Sequence, residues 1–180
     1  THPMTAKLES LPHGLTNLED HEQQAQKRLD DVAWAYFSGG AADEHTLHHN
    51  RQAWTDLRLH PRVLRPMTGG HTRLSLLGKT LAHPILLAPV AYQRMVHTDG
   101  ELASAYAAAA QGAGFVLSMQ TSTTMQTIAQ AVHAEPGRGP MWLQLYLHYD
   151  RGFIVDMVKQ AEAAGYEGLV VTVDASVSGV

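Results

Sequence analysis

Four short apolar runs, separated by segments with helical periodicity, constrain the fold of this chain more than any other feature. Residues near the ends of the four runs follow one another at steps of 30, 26 and 28 residues: Ala88, Ser118, Gln144 and Thr172. Apolar runs without polar alternation are typical of strands buried on both faces of a parallel sheet. The spacing therefore predicts four successive β/α units and an α/β fold.

The segments between the runs carry apolar residues three and four positions apart, as amphipathic helices do. The two clearest stripes are Met125, Ile128, Ala129 and Val132, followed by Ile154, Met157, Val158 and Ala161. Thr98 and Glu101 have the spacing of a capping box at the start of a further helix. Gly112 and Gly165 occupy positions where helix C-caps are expected.

Repeated β/α units build either a doubly wound sheet or a (β/α)₈ barrel, and a barrel usually needs about 250 residues. The chain has 180 residues, and half a barrel cannot close. We therefore expect the polypeptide to be truncated, cleaved or incompletely resolved, with a missing half that stability and chemistry require. On this interpretation residues 1–71 form a mostly helical lead-in and residues 72–180 form the first half of the barrel.

The lead-in has helix signals of its own. Thr16 and Glu19 have capping-box spacing before a polar helix, and an apolar stripe follows: Leu29, Val32, Ala33, Tyr36 and Phe37. Asp43 can cap another helix. The proline-spaced segment 59–67 is predicted to be an extended connector, and the alternating pattern that follows predicts a small hairpin.

Composition excludes several classes of function. The net charge is -4 and the 13 Lys and Arg residues are scattered, so the chain has no basic stripe for nucleic acid. There is no cysteine, so redox chemistry would need a bound cofactor. No apolar run approaches the roughly 20 residues that span a bilayer, and the start lacks a signal-peptide pattern, which predicts a cytoplasmic protein.

Twelve histidines raise the question of a metal site. His45 and His49 have helical i, i+4 spacing, but no third ligand accompanies them. A solvated helix face explains this pair better than a metal does, so we expect none.

Polar residues gather at the ends of the predicted strands. Ser118 ends the second run, Gln144 and Tyr146 end the third, and Thr172 and Asp174 end the fourth. In both parallel architectures this edge binds ligands, and such amide, hydroxyl and carboxylate groups suit a polar heterocycle. No GxGxxG motif follows a strand, so a Rossmann dinucleotide site has no support.

Each of these residues also has a structural explanation. A Ser or Thr at a strand end often caps the next helix, and Asp174 could cap or pair structurally. Tyr36 on an apolar helix face is by default a core residue. Gln144, between Leu143 and Leu145, is harder to explain in this way because a buried amide needs hydrogen-bond partners.

Ordered motifs extend through nearly the whole chain: Tyr36-Phe37-Ser38-Gly39-Gly40-Ala41, Thr46-Leu47, Asn50-Arg51, Pro84-Ile85, Ala88 to Gln93, His97 to Glu101, Leu117-Ser118, Gln144 to Tyr146 and Thr172 to Asp174. In this order they resemble the FMN-dependent α-hydroxy-acid dehydrogenases and oxidases, the family of glycolate oxidase, lactate oxidase and mandelate dehydrogenase. The resemblance implies a TIM (β/α)₈ barrel with FMN at its C-terminal mouth, of which this chain supplies the N-terminal half.

The resemblance also implies residue roles at the flavin. The backbone at Val90 and Ala91 would lie against the flavin ring. The side chains of Ser118, Gln144 and Thr172 would hydrogen-bond its polar edge.

On the substrate side, the resemblance assigns the carboxylate to Tyr36, the hydroxyl region to Tyr146, and orientation of a catalytic histidine to Asp174. The implied reaction oxidises an (S)-2-hydroxy acid to a 2-oxo acid. The base histidine and the substrate arginines belong to the second half of the barrel, so neither His97 nor His148 is assigned as the base. Gln120 stands where glycolate oxidase-like members carry a bulky aromatic, which predicts a larger, mandelate-like aromatic substrate.

Two other functions remain open from the sequence. One is a different FMN barrel, such as a flavin-dependent isomerase of prenyl diphosphates, which would not need Tyr36 and Asp174 together. The other is a non-catalytic half-barrel module with exposed edges at its first and fourth strands. The expected partners are a small 2-hydroxy acid, the C-terminal half of the same barrel and further copies of the protein in a homotetramer.

Overall fold

The computed structural model describes residues 13–175, and the chain divides into two compact units between Asn50 and Arg51. The division falls within a helix, His45–Asp56. No helix between residues 13 and 175 has the length and hydrophobicity that a bilayer crossing requires.

Among residues 13–50, the described part of the first unit, there are two helices and the start of a third: α1 (Leu18–Gln26), α2 (Asp31–Ser38) and α3 (His45–Asp56). The predicted capping box of α1 is wrong by one residue. Asn17 is the N-cap, and its side chain accepts from the Asp20 N–H at 2.9 Å. The pair Thr16 and Glu19 has the same spacing, but Asn17 has the extended backbone and the short amide that an N-cap uses.

A second cap separates α2 from α1. The Asp30 carboxylate accepts from the Ala33 N–H at 2.8 Å, which starts α2 at Asp31. Leu29 therefore lies in the turn before the helix, and Ala33 is the buried residue of α2. The predicted helix after Asp43 is confirmed as α3.

The second unit opens with the end of α3, and no helix or strand follows before Leu74. The predicted extended connector is interrupted at Leu64, whose backbone is left-handed with φ 56°. A hairpin comes next, as predicted. Its strands are β1 (Leu74–Leu76) and β2 (Lys79–Leu81), paired antiparallel. Leu77 and Gly78 connect them with φ of 47° and 77°. Two consecutive positive φ angles are the mark of a type I′ turn, whose twist matches that of the two strands.

The four predicted strands form one parallel sheet in chain order: β3 (Leu86–Leu87), β4 (Gly114–Ser118), β5 (Met141–Tyr146) and β6 (Gly168–Thr172). Helices link them: α4 (Gly100–Ala110), α5 (Met125–Val132) and α6 (Arg151–Ala164). Four parallel strands joined in sequential order by three helices correspond to the first units of a TIM barrel, which is the predicted fold.

The core lies between these helices and one face of β4 and β5. It includes Phe115 and Leu117 from β4 and Met141 and Leu143 from β5. Because side chains alternate along a strand, the residues between them face the opposite side of the sheet. That opposite side is the inside of the barrel.

The capping box predicted for α4 is also wrong. The helix begins at Gly100 after Asp99, and no side chain caps it. Glu101 does not reach back to the helix start; its carboxylate is completely buried and bonds to other segments. The predicted C-cap Gly165 is confirmed for α6, with φ 88°. For α4 the prediction is wrong by one residue, because Gln111 is the C-cap and Gly112, with φ 68°, follows it.

Candidate functional site

Three polar side chains meet at the C-terminal end of the parallel sheet. Ser118, Gln144 and Thr172 lie on β4, β5 and β6, and all three alternate with the residues that face the helices. They therefore lie on the inner side of the sheet, at the end where parallel β/α folds bind ligands.

Hydrogen bonds join these three side chains into one chain across the strands. The Ser118 hydroxyl donates to Gln144 Oε1 at 3.3 Å, and Gln144 Nε2 donates to Thr172 Oγ1 at 2.8 Å. Ser118 and Gln144 are only 4% and 2% exposed. A buried amide thus finds partners on both neighbouring strands, and one Gln144 N–H and the Thr172 hydroxyl hydrogen remain able to donate.

The loop after β4 is tied to the same side chains. The Gln120 N–H donates to Ser118 Oγ at 3.1 Å, and the Met119 N–H donates to Gln144 Oε1 at 3.4 Å. Met119 Sδ also accepts from the Tyr146 N–H at 3.0 Å. The polar edge is therefore held by backbone as well as by side chains.

The loop between β3 and α4 runs beside this edge. Val90 is 41% exposed and Ala91 is partly buried. Tyr92 has a left-handed backbone with φ 50°, and its N–H donates to the Gln120 carbonyl at 3.0 Å. A non-glycine residue in this conformation carries backbone strain, and here it turns the Val90–Ala91 segment next to the loop that follows Ser118.

The residues predicted to act on the substrate lie in different parts of the chain. Tyr146 is in register with Thr172 and shares the inner face of β5 with Gln144. Asp174 lies two residues beyond β6 and is exposed. Tyr36 belongs to α2 of the first unit, half exposed, with its ring edge-on to Phe37 at 5.0 Å. The second unit therefore contains all the predicted residues except Tyr36, which belongs to the first unit.

Sequence reasoning missed two residues at this edge. Met119 directly follows β4 and was given no role, yet its sulfur accepts the backbone N–H of Tyr146. Glu101 was assigned to a helix cap, yet it bonds to both loops described above. One signal for Glu101 was available, because it is the one charged residue in the helix sequence GELASAYAAAA, where a carboxylate in an apolar helix indicates a buried partner.

The histidines do not form a second centre. The Nδ1 atoms of His97 and His148 accept from the N–H groups of Asp99 and Asp150, both at 3.2 Å. Between residues 13 and 175 no cluster of three His, Asp or Glu side chains is close enough to hold a metal ion.

These features define the class of protein. It is a parallel β/α barrel, of which the described residues form the first units, with a ring of hydroxyl and amide groups at the mouth. A family model described as FMN-dependent dehydrogenase matches residues 25–180. The chain belongs to this family, and FMN is the family's cofactor.

Curated relatives are enzymes of 2-hydroxy acids by name. L-lactate oxidase of Alicycliphilus denitrificans is 44% identical over 93% of this chain. Glycolate oxidase 3 of Arabidopsis thaliana is 34% identical over 89% of this chain. The aligned regions cover 44% and 42% of these two relatives, so the chain spans less than half of their length.

Solved structures agree with this family. A mandelate oxidase variant with (S)-mandelic acid is 35% identical and superposes with a TM-score of 0.83, covering 90% of this chain and 47% of the oxidase. Another structure of a mandelate oxidase variant, with the C4a-OH-FMN adduct, has a TM-score of 0.82, is 35% identical, and covers 89% of this chain and 47% of the oxidase.

The chemistry of the polar edge fits FMN. The edge of an isoalloxazine ring alternates carbonyl oxygens with an N–H group, so it needs both donors and acceptors. Ser118, Gln144 and Thr172 have side chains that can do both. Their side chains form an adjacent row across three strands, while the exposed Val90 segment offers an apolar surface beside them.

Proposed function

We propose that this chain forms the flavin-binding half of an FMN-dependent enzyme that oxidises an (S)-2-hydroxy acid to the 2-oxo acid. The observation that carries the proposal is the hydrogen-bonded row of Ser118, Gln144 and Thr172 at the mouth of the sheet. The three side chains come from three different strands, so the row depends on the fold and not on one sequence motif.

In this proposal five residues hold FMN. The backbone of Val90 and Ala91 lies against the ring, and the side chains of Ser118, Gln144 and Thr172 bond its polar edge. When bound, FMN accepts the two electrons that the α-carbon of the substrate loses. These residues orient the cofactor and exclude water from one side of it.

Three further residues act on the substrate in this proposal. Tyr36 binds its carboxylate and Tyr146 hydrogen-bonds its hydroxyl region. Asp174 orients the histidine that acts as the base, and the remainder of the barrel supplies this histidine. The Asp174 side chain is exposed, so its carboxylate is accessible to an imidazole, whose basicity it would raise.

For the substrate we propose an aromatic acid such as mandelate. Gln120 is exposed at the mouth, and its backbone is held by Ser118 and Tyr92 while its side chain is not. A flexible amide at this point leaves room that a bulky aromatic would fill. A second candidate is lactate, which is supported by the 44% identity to an L-lactate oxidase.

The exposed edges of the sheet support a further partner. Ile85 beside β3 is 61% exposed and Val173 after β6 is 81% exposed. Both lie at strands with one neighbour among the described residues. We propose that the C-terminal half of the barrel covers them. The barrel then begins near residue 72, after the lead-in. The closed barrel belongs to a cytoplasmic protein that forms a homotetramer.

The test is the visible spectrum of the full-length protein before and after anaerobic addition of (S)-mandelate or L-lactate. Flavin bands that bleach with either acid support the oxidoreductase, and the ratio of kcat/KM values for the two acids decides between the substrates. Flavin bands that no 2-hydroxy acid bleaches favour another FMN barrel, such as the isomerase. A colourless protein that cannot be loaded with FMN contradicts the proposal.

A further inference from the structure

Glu101 is a buried carboxylate that the proposed chemistry does not use. It lies in the first turn of α4 and is 0% exposed. Its Oε1 atom accepts from the backbone N–H of Ser122 at 2.8 Å and from that of Gln93 at 3.2 Å. Its Oε2 atom accepts from the Thr123 hydroxyl at 3.0 Å.

These partners belong to two different loops. Gln93 follows the Val90–Tyr92 segment after β3, whereas Ser122 and Thr123 follow the Ser118–Gln120 segment after β4. The carboxylate therefore bridges the two loops that approach the proposed flavin site. A second side chain of α4 strengthens the bridge, because the Ser104 hydroxyl donates to Gln93 Oε1 at 2.6 Å.

The bridge is anionic. Burial raises the pKa of Glu101, but hydrogen bonds from Ser122, from its own backbone N–H, from Thr123 and from Gln93 together lower it further than burial raises it. The carboxylate stays charged in the folded protein, and hydrogen bonds to a charged acceptor are stronger than those between neutral groups. Such a group holds its donors in one geometry.

We propose that Glu101 is a positioning residue that locks the loop after β3 to the loop after β4. It thereby sets the separation between the Val90–Tyr92 backbone and the Ser118–Gln120 segment. This inference rests on the proposed function, because those two segments are the ones assigned to the flavin. Glu101 itself touches neither cofactor nor substrate.

The experiment compares Glu101→Ala, Glu101→Gln and Glu162→Ala in the full-length protein. Glu162 is exposed on α6 and serves as the matched control. The alanine variant loses the bridge, whereas the glutamine can still accept both N–H groups through Oε1 and donate to Thr123 through Nε2. Each variant is measured for kcat, KM, bound FMN and deuterium exchange of peptides that contain Gln93 and Ser122.

Glu101→Ala is expected to lower kcat by about tenfold to a hundredfold, because displacements near 1 Å have effects of this size on reacting groups. The KM should change much less, and exchange at both peptides should accelerate. Glu101→Gln should restore most of kcat and of the protection, and Glu162→Ala should match the wild type.

A folded Glu101→Ala protein with wild-type kcat and exchange overturns the inference. So does a glutamine variant as impaired as the alanine variant, because hydrogen-bond geometry would then not be the cause. If Glu101→Ala does not fold, Thr123→Val takes its place, because it removes only one donor. This variant is expected to lower kcat by about threefold. Wild-type kcat and exchange in Thr123→Val would also contradict the bridge.

The exchange measurement separates this inference from the proposed function. If no 2-hydroxy acid reduces the wild-type protein, the proposed function fails on that result alone. Faster exchange at the Gln93 and Ser122 peptides in Glu101→Ala then still supports the bridge, and unchanged exchange contradicts it.

Discussion

The two ends of the parallel sheet are built from different chemistry. At the C-terminal end, Ser118, Gln144 and Thr172 use hydroxyl and amide groups that retain bonding capacity. At the N-terminal end, charged groups are paired with one another: Arg138 Nη1 contacts Glu167 Oε1 at 2.7 Å, and Lys79 Nζ contacts Glu167 Oε2 at 3.0 Å.

This difference indicates where ligand binding and stability reside. The N-terminal end has a cavity of about 290 Å³ between the hairpin and the loops that precede β4, β5 and β6. At this end, Arg138 also donates to the Gly139 carbonyl at 2.9 Å and to the His133 carbonyl at 3.3 Å. We therefore interpret this end as structural, despite its cavity, and the C-terminal end as functional, which is the usual division in β/α barrels.

The largest expected effect tests the C-terminal end. Asp174→Asn should lower kcat by about a hundredfold, because an amide cannot stabilise the imidazolium that forms when the base takes a proton. Bound FMN should stay near the wild-type level. Stopped-flow reduction of the flavin measures this, with the exposed Asp156→Asn on α6 as control. Full kcat in Asp174→Asn would remove Asp174 from the mechanism.

The next effect tests the polar row. Gln144→Leu keeps the approximate volume but leaves Ser118 and Thr172 without their shared partner. Unpaired buried polar groups cost about 1–3 kcal/mol, so FMN affinity should fall about tenfold or more. Fluorescence titration of apoprotein with FMN measures it, and Gln130→Leu on the exposed side of α5 is the comparison. Equal affinity in both variants would show that the row does not hold the flavin.

The N-terminal end should respond in the opposite way. Arg138→Ala removes an ion pair that is largely shielded from water, and a loss of about 1 kcal/mol in the free energy of unfolding is expected. The value of kcat should not change. Urea unfolding and steady-state kinetics together test this, and Lys79→Ala, whose side chain is mostly exposed, should have a smaller effect. A drop in kcat without a loss of stability in Arg138→Ala would contradict the division into a structural N-terminal end and a functional C-terminal end.

The smallest effect is a dependence on pH. Burial raises the pKa of Glu167, but Arg138 and Lys79 lower it more, so its pKa in the folded protein lies below the ordinary value of 4.5. A lowered pKa stabilises the fold above the unfolded value, and this stabilisation disappears as pH falls through the folded value. Urea midpoints at about pH 6 and about pH 4 should therefore differ less in Arg138→Ala than in the wild type. An equal difference in the wild type and in Arg138→Ala would mean that this ion pair does not contribute to the pH dependence of stability.

Much of the fold follows from local pattern. The third apolar run was predicted to end at Tyr146, where β5 ends, because a strand buried on both faces needs uninterrupted apolar residues. The α6 helix was predicted from its stripe and from Gly165, whose positive φ ends it. The polar residues at strand ends were predicted because a parallel sheet presents its ligand-binding edge there.

Helix starts were less predictable. Thr16 with Glu19 and Asn17 with Asp20 have the same capping-box spacing, and backbone conformation selects the second pair. Spacing alone cannot distinguish them, since both satisfy the same local rule. The same limitation applied to Thr98 and Glu101, where burial changed the partner of the carboxylate altogether.

The sequence by itself determined which segments become strands and helices, their order, and the family, because these depend on patterns within a few residues or on ordered motifs. Only the tertiary structure decided that Gln144 links Ser118 to Thr172 and that Glu101 bridges two loops instead of capping a helix. The physical reason is that each buried polar group must find partners. Strand pairing brings the partners of Gln144 from 26 and 28 positions away, and the packing of α4 against two loops brings those of Glu101 from 8 to 22 positions away.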